Sequence, residues 1–160
     1  MRLITLNGVK LLVYLNGMIL RFSDKVRGNH LKKGWSEAKG YINYCEYLII
    51  CLNGKEFFKH RIIAYAFLGL DINNPKQIID HIDKNRQNNS FKNLRIVSHQ
   101  ENNFNTNAKG YFKNGKKFQS QIKINNKQIH LGLFNTEEEA RNAYLQAKEK
   151  YHIIIPSTLN

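Results

Sequence analysis

Ile79-Asp80-His81-Ile82-Asp83-Lys84-Asn85-Arg86-Gln87-Asn88-Asn89, then Asn93-Leu94-Arg95, then Ser98-His99-Gln100-Glu101-Asn102, is the stretch that decides the fold. Gln77 to Ile82 has the apolar content of a short strand, and Asp83 to Asn93 is a polar loop crowded with Asn. Leu94 to Val97 forms a second short strand. Ser98-x-x-Glu101 is a capping box, which starts a helix and sets Asn102 in its first turns. The predicted order is strand, loop, strand, helix.

Asp80 and His81 carry the chemistry. Neighbours on a strand point to opposite faces, so the two share a site only at the strand's end, where the loop after Ile82 turns the chain. Cleaving a phosphodiester takes a base to deprotonate water and a cation to hold the phosphate oxygens. His81 is an imidazole that titrates in the useful range, while Asp80 and Asn102 offer a carboxylate and an amide oxygen suited to a hard metal. A lone Asp-His pair reads as an ordinary turn, and Asn in a loop bonds its own backbone. The weight comes from the combination: acid and imidazole ending a strand, Asn93 before a second strand, and Asn102 inside a capped helix.

These residues resemble the HNH, or ββα-metal, endonucleases in the version found among phage and intron homing enzymes. The resemblance implies that His81 is the general base, that Asn93 buttresses the loop, and that Asp80 and Asn102 ligate one divalent cation, Mg²⁺ or alternatively Mn²⁺. The third signature position is Asn rather than His, a variant that those homing enzymes also show. Asp83, Arg86 and Arg95 are secondary candidates, the two Arg for contact with DNA phosphate. The stretch before the motif also resembles the family: Asn53-Gly54-Lys55, then His60-Arg61-Ile62 through Phe67-Leu68. His60 is expected to cap or pack the helix Arg61 to Leu68, whose core face is Ile62, Ile63, Ala66 and Phe67. His99, beside the site on the capped helix, is read the same way.

Toward the N-terminus, Lys10 to Leu15 and Met18 to Phe22 flank Asn16-Gly17, and Tyr47 to Leu52 and Glu56 to Phe58 flank Asn53-Gly54; both read as hairpins. Ser23 to Gly40 reads as a polar loop in which Trp35 packs its ring on a neighbour. Met1 to Leu20 is broken by polar residues, so neither a signal peptide nor a spanning helix is read there.

Beyond a polar linker at Asn105 to Lys109, three strand-like runs follow: Gly110 to Lys113, Phe118 to Ile124 and Gln128 to Leu133. Thr136-x-x-Glu139 caps a last helix whose face is Ala140, Ala143, Tyr144, Ala147 and Tyr151. Lys117 to Lys123, His130 to Ala140 and Ala143-Tyr144 resemble the ethylene-response-factor type of DNA-binding domain, which lays its sheet in the major groove. Alternation turns Phe118, Ser120, Ile122 and Ile124 to the core and Gln119, Gln121 and Lys123 outward. Gln128 and His130 extend that outer face, and Lys117 adds charge at its end. Gln reads adenine, and Lys attracts phosphate. The family's Arg and Trp contact positions are replaced here, so its target sequence does not transfer. The rival reading of this face is plain solvation.

Twenty-five Lys and Arg against twelve Asp and Glu give a formal charge of +13, which makes nucleic acid the first partner to test. The Lys residues lie in strand-like and loop-like stretches rather than on an amphipathic helix, which disfavours a membrane surface. Cys45 and Cys51 suggest neither a disulfide framework nor a zinc site, and a cytoplasmic setting fits. The fold class expected is α+β: a ββα-metal nuclease core preceded by β-hairpins and a short helix, then a small three-stranded antiparallel sheet packed on one helix. Residues 1–105 form the nuclease module and residues 106–160 the DNA-binding module. The expected function is site-selected cleavage of double-stranded DNA by a monomer or homodimer. The alternatives are a DNA-binding regulator with an inactive core, an RNA-binding protein, which would want stacking aromatics on the outer sheet face, and a scaffold that binds no nucleic acid.

Overall fold

The computed structural model describes residues 1–24 and 33–154. The chain divides into two compact units, Met1–Ile96 and Val97–Pro156. No helix among the described residues is long and apolar enough to cross a membrane.

The first unit opens with an antiparallel sheet of β1 (Arg2–Leu6), β2 (Val9–Val13), β3 (Ile19–Ser23) and β4 (Gly34–Glu37), in that order. Asn7 and Gly8 join β1 to β2 with φ of 47° and 75°, the left-handed pair a tight hairpin requires. This first strand was not anticipated. The hairpin around Asn16-Gly17 forms with a wider turn, Tyr14 N–H donating to the Met18 carbonyl and Gly17 N–H to that of Tyr14. Of the loop expected over Ser23 to Gly40, residues 25–32 lie outside the described residues. Gly34–Glu37 is instead a strand, paired so that Trp35 sits opposite Phe22 with their rings edge to face at 5.3 Å.

A second sheet follows, β5 (Tyr41–Ile42), β6 (Leu48–Leu52) and β7 (Lys55–Phe58), with the hairpin turn at Asn53-Gly54 as expected. The tips of the two sheets clasp: Asn7 Nδ2 donates to the Leu52 carbonyl and Asn53 Nδ2 to the Asn7 carbonyl. α1 (Lys59–Phe67) starts without a side-chain cap, so packing holds it. Its Ile62, Ile63 and Ala64 are wholly buried, and each Ile contributes roughly 1.5–3 kcal/mol by leaving water. One core joins them to Leu11, Val13, Ile19, Ile50, Leu52 and Leu94. β8 (Ile78–His81) and β9 (Leu94–Val97) then form a two-stranded sheet.

The second unit contains α2 (His99–Phe104), the antiparallel sheet β10 (Tyr111–Asn114), β11 (Lys117–Ile124) and β12 (Lys127–Phe134), and α3 (Glu137–Tyr151). Both capping boxes form, Ser98 with Glu101 and Thr136 with Glu139. α2 divides with this unit rather than with the residues before it, ahead of the seam expected after residue 105. Its side chains explain why: Phe104 stacks on His152 at 3.9 Å, and Gln100 Nε2 donates to Asn125 Oδ1.

α3 lays Ala140, Tyr144 and Ala147 against the sheet residues Ile122 and Leu131. The approach is close enough that a Cβ on Gly110, whose φ is +77°, would fall inside the Tyr144 ring. Tyr151, expected on the same face, is exposed instead, with the Lys150 ammonium over its ring. It stands at the helix's last residue, three positions past Lys148, whose ammonium bonds the Thr106 carbonyl.

Candidate active site and nucleic-acid interface

Asp80 and His81 end β8, and both are buried, at 6% and 5% exposure. Such burial of an acid and an imidazole needs compensation. For Asp80 it comes from β9: Arg95 donates through Nε and Nη2 to Asp80 Oδ2, at 2.8 and 2.6 Å. Arg95, a candidate for DNA phosphate in the sequence, is held on this carboxylate. The strand alternation that sets Asp80 across from it could have revealed this pair.

The His81 ring stands edge-on to His60 at 5.2 Å and 6.1 Å from the Tyr47 ring, with Nε2 3.4 Å from Asn89 Oδ1. Burial depresses its pKa, and the Asn89 contact with the nearby Asp83 and Asp80 carboxylates offsets part of that. His81 is therefore neutral at pH 7, the form a base requires.

His60 does not cap α1. It is buried among Tyr47, Phe58 and His81, and its Nδ1 has no hydrogen-bond partner. Burial first, then His81 and Arg61, lower its pKa to about 3. Its contact with His81 was missed at the level of sequence, where the two lie far apart.

Asn93 closes the loop. Its Oδ1 accepts from Asp83 N–H at 3.0 Å, and its Nδ2 donates to Asp83 Oδ1 and to the Asn88 carbonyl, each at 2.8 Å. Within the loop Asp83 and Asn85 each accept from the backbone N–H two residues on. The Asn88 side chain foremost, then the Asn85 N–H and Asn93, hold the Asp83 carboxyl below its ordinary range. Phe91 N–H bonds the Leu15 carbonyl, and Gly17 permits the approach, since a Cβ there would lie 2.7 Å from the Asn89 carbonyl oxygen. Arg86 donates to the Cys45 carbonyl and lies over the Tyr47 ring at 5.0 Å, so it braces the turn beside His81. Asn102 lies half-buried on α2, in the second unit.

On the second unit's sheet, Gln121 pairs with His130 and Lys123 with Gln128, so these four share the outer face. Ser120 and Ile122 turn inward and are buried. Phe112, Gln119 and Leu133 make one row across the three strands, and Asn114 Nδ2 donates to Gln119 Oε1. The outer face therefore carries an aromatic, Phe112, that its reading as Gln and Lys alone had left out. Lys117 pairs with Asn114 at the end of the sheet. A cavity of about 730 Å³, wholly in this unit, lies between α2 and the open edge of β11, lined by Gln100, Asn103, Lys109, Gln121, Lys123 and His152 among others.

Residues 57–104 match the family model described as HNH endonuclease. This stretch is thus similar to the HNH endonucleases, in agreement with the nuclease expected from the sequence. The matched stretch holds His60, Asp80, His81, Asn93 and Asn102. No curated protein matches the chain significantly. Among solved structures, that of the HNH homing endonuclease I-HmuI, which concerns DNA binding and cleavage by that enzyme, is similar with a TM-score of 0.50 at 21% identity. The similarity covers 81% of this chain and 77% of that one, and it is a likeness of fold.

Proposed function

We propose that the protein is a metal-dependent DNA endonuclease of the homing type, hydrolysing phosphodiester bonds at a selected site. The observation that carries this reading is a buried, neutral imidazole, His81, following a buried carboxylate at the end of one strand. In the tautomer that donates Nε2–H to Asn89 Oδ1, the His81 Nδ1 lone pair takes the proton of the attacking water. Asn93 fixes the loop that carries Asn89, and His60 packs against the His81 ring.

The donor chemistry suits a hard divalent cation. Asp80 and Asn102 would hold it through carboxylate and amide oxygens, with Mg²⁺ first and Mn²⁺ second. Once bound, the ion would stabilise charge on the phosphate and the leaving oxygen. Arg95 orients Asp80 through Oδ2. The ethylene-response-factor-like sheet would enter the major groove, with Gln119, Gln121, Gln128 and His130 toward base edges and Lys117 and Lys123 toward phosphates.

Plasmid cleavage with Mg²⁺ or Mn²⁺, repeated with His81→Ala, tests the reading. Cleavage should fall by about 10² or more while DNA binding is kept. Undiminished cleavage by the variant would sink the assignment of the base, and binding without cleavage under either metal would favour a regulator with a silent core. The cut ends, mapped on DNA flanking the coding sequence, test the homing character.

A further inference from the structure

We propose that Phe112 and Leu133 make the outer sheet face selective for thymine, by holding its C5-methyl group on either side of Gln119. The inference rests on the reading that this sheet enters the major groove.

Three observations carry it. The row Phe112, Gln119, Leu133 is set by direct cross-strand pairing, and its two apolar members are 45% and 50% exposed. A single exposed Leu or Phe is ordinary; two from separate strands flanking one amide form a pattern. Leu133 faces outward only because the register shifts by one residue between Ser120 and Gln121. Gln121 pairs with His130 and Ser120 with Gly132, which leaves Leu131 as the extra, inward residue. Without that bulge, alternation would return Leu133 to the inner face with Leu131.

The third observation is electrical. Tyr111 to Phe134 contains five Lys and no Asp or Glu, and every acid of the second unit lies on α2 or α3. The exposed apolar pair therefore sits in a cationic surface, which suits a polyanion.

An A·T pair shows adenine N7 and N6 in the major groove, with the thymine methyl beside them. Gln119, steadied by Asn114, can address the adenine edge, and neighbouring strands about 4.8 Å apart put an apolar side chain on each side of it. The whole row spans about 10 Å, within a groove about 12 Å wide.

The test uses the full chain without divalent metal, so that binding is read without cleavage. Fluorescence anisotropy compares a duplex of alternating dA and dT with the same duplex carrying dU for dT, which removes only the methyl groups. The dT duplex should bind more tightly by about fourfold per methyl engaged, equivalent to about 0.8 kcal/mol. Phe112→Ala with Leu133→Ala should bring the two duplexes together while leaving the salt dependence intact. Both side chains are exposed, so the double variant should keep its circular dichroism spectrum. Equal affinity for dT and dU, a preference that survives the double variant, or tighter binding to an A·U RNA duplex would each overturn the proposal. If salt-sensitive binding persists while the dT preference is missing, only this inference fails; if no duplex binds in a salt-sensitive way, the sheet's reading as a DNA face fails with it.

Discussion

Acidification from pH 7 to pH 5 should destabilise the first unit through His60, and His60→Phe should remove much of the effect. The ring is 7% exposed, packed against Tyr47, Phe58 and His81, with Nδ1 unpartnered. Its pKa falls from 6.5 to about 3 on folding. As pH drops below 6.5 the unfolded chain takes up a proton that the fold refuses until about pH 3, so stability is full above 6.5 and is lost through that window. At pH 5 the loss is 1.5 units below 6.5, at 1.36 kcal/mol per unit about 2 kcal/mol. A domain holding about 5–15 kcal/mol feels that clearly. His81, also depressed, adds a loss of the same sign. Phe keeps the ring and removes the titration. Urea unfolding at both pH values, followed by the fluorescence of Trp35 in the same unit, should show the variant losing about 2 kcal/mol less than the wild type between them. Equal losses in the two proteins would refute the argument.

Arg95→Ala leaves the Asp80 carboxylate buried without its bidentate donor and should cost about 3 kcal/mol in chemical denaturation; an unchanged midpoint would contradict the ion pair's role. Asn93→Ala removes three side-chain hydrogen bonds and should cost about 2–3 kcal/mol, with faster amide exchange confined to residues 83–93. Protection equal to that of the wild type would show that the loop is held otherwise. Lys117→Gln and Lys123→Gln should each lower the slope of log affinity against log salt by about 1, and a slope that stays the same would take those residues off the phosphates.

Short-range signals were legible in the sequence. Ser98 with Glu101, Thr136 with Glu139, and Asn53-Gly54 act within a few residues, and the structure has the caps and the turn there. β1 escaped because only Leu6 of its five residues is buried, so no apolar stripe marks it. β4 escaped because its place depends on Trp35 meeting Phe22 across the sheet, a pairing that local pattern does not encode. Asp80, His81 and Asn93 were visible as residue types at a suggestive spacing. The environment that gives His81 its depressed pKa was not, since Tyr47 and His60 reach it from distant parts of the chain.

The loop from Asp83 to Asn93 is fastened largely by side-chain amides, and this exposes it to one chemical change. Asparagine is a thermolabile residue, and hydrolysis of its amide leaves a carboxylate. At Asn93 that change would replace the Nδ2 donor with an oxygen facing Asp83 Oδ1, where the present separation is 2.8 Å, so two anions would meet where one bond now closes the loop. Deamidation at Asn93 would thus unfasten the loop beside His81, and it would carry a mass signature of its own.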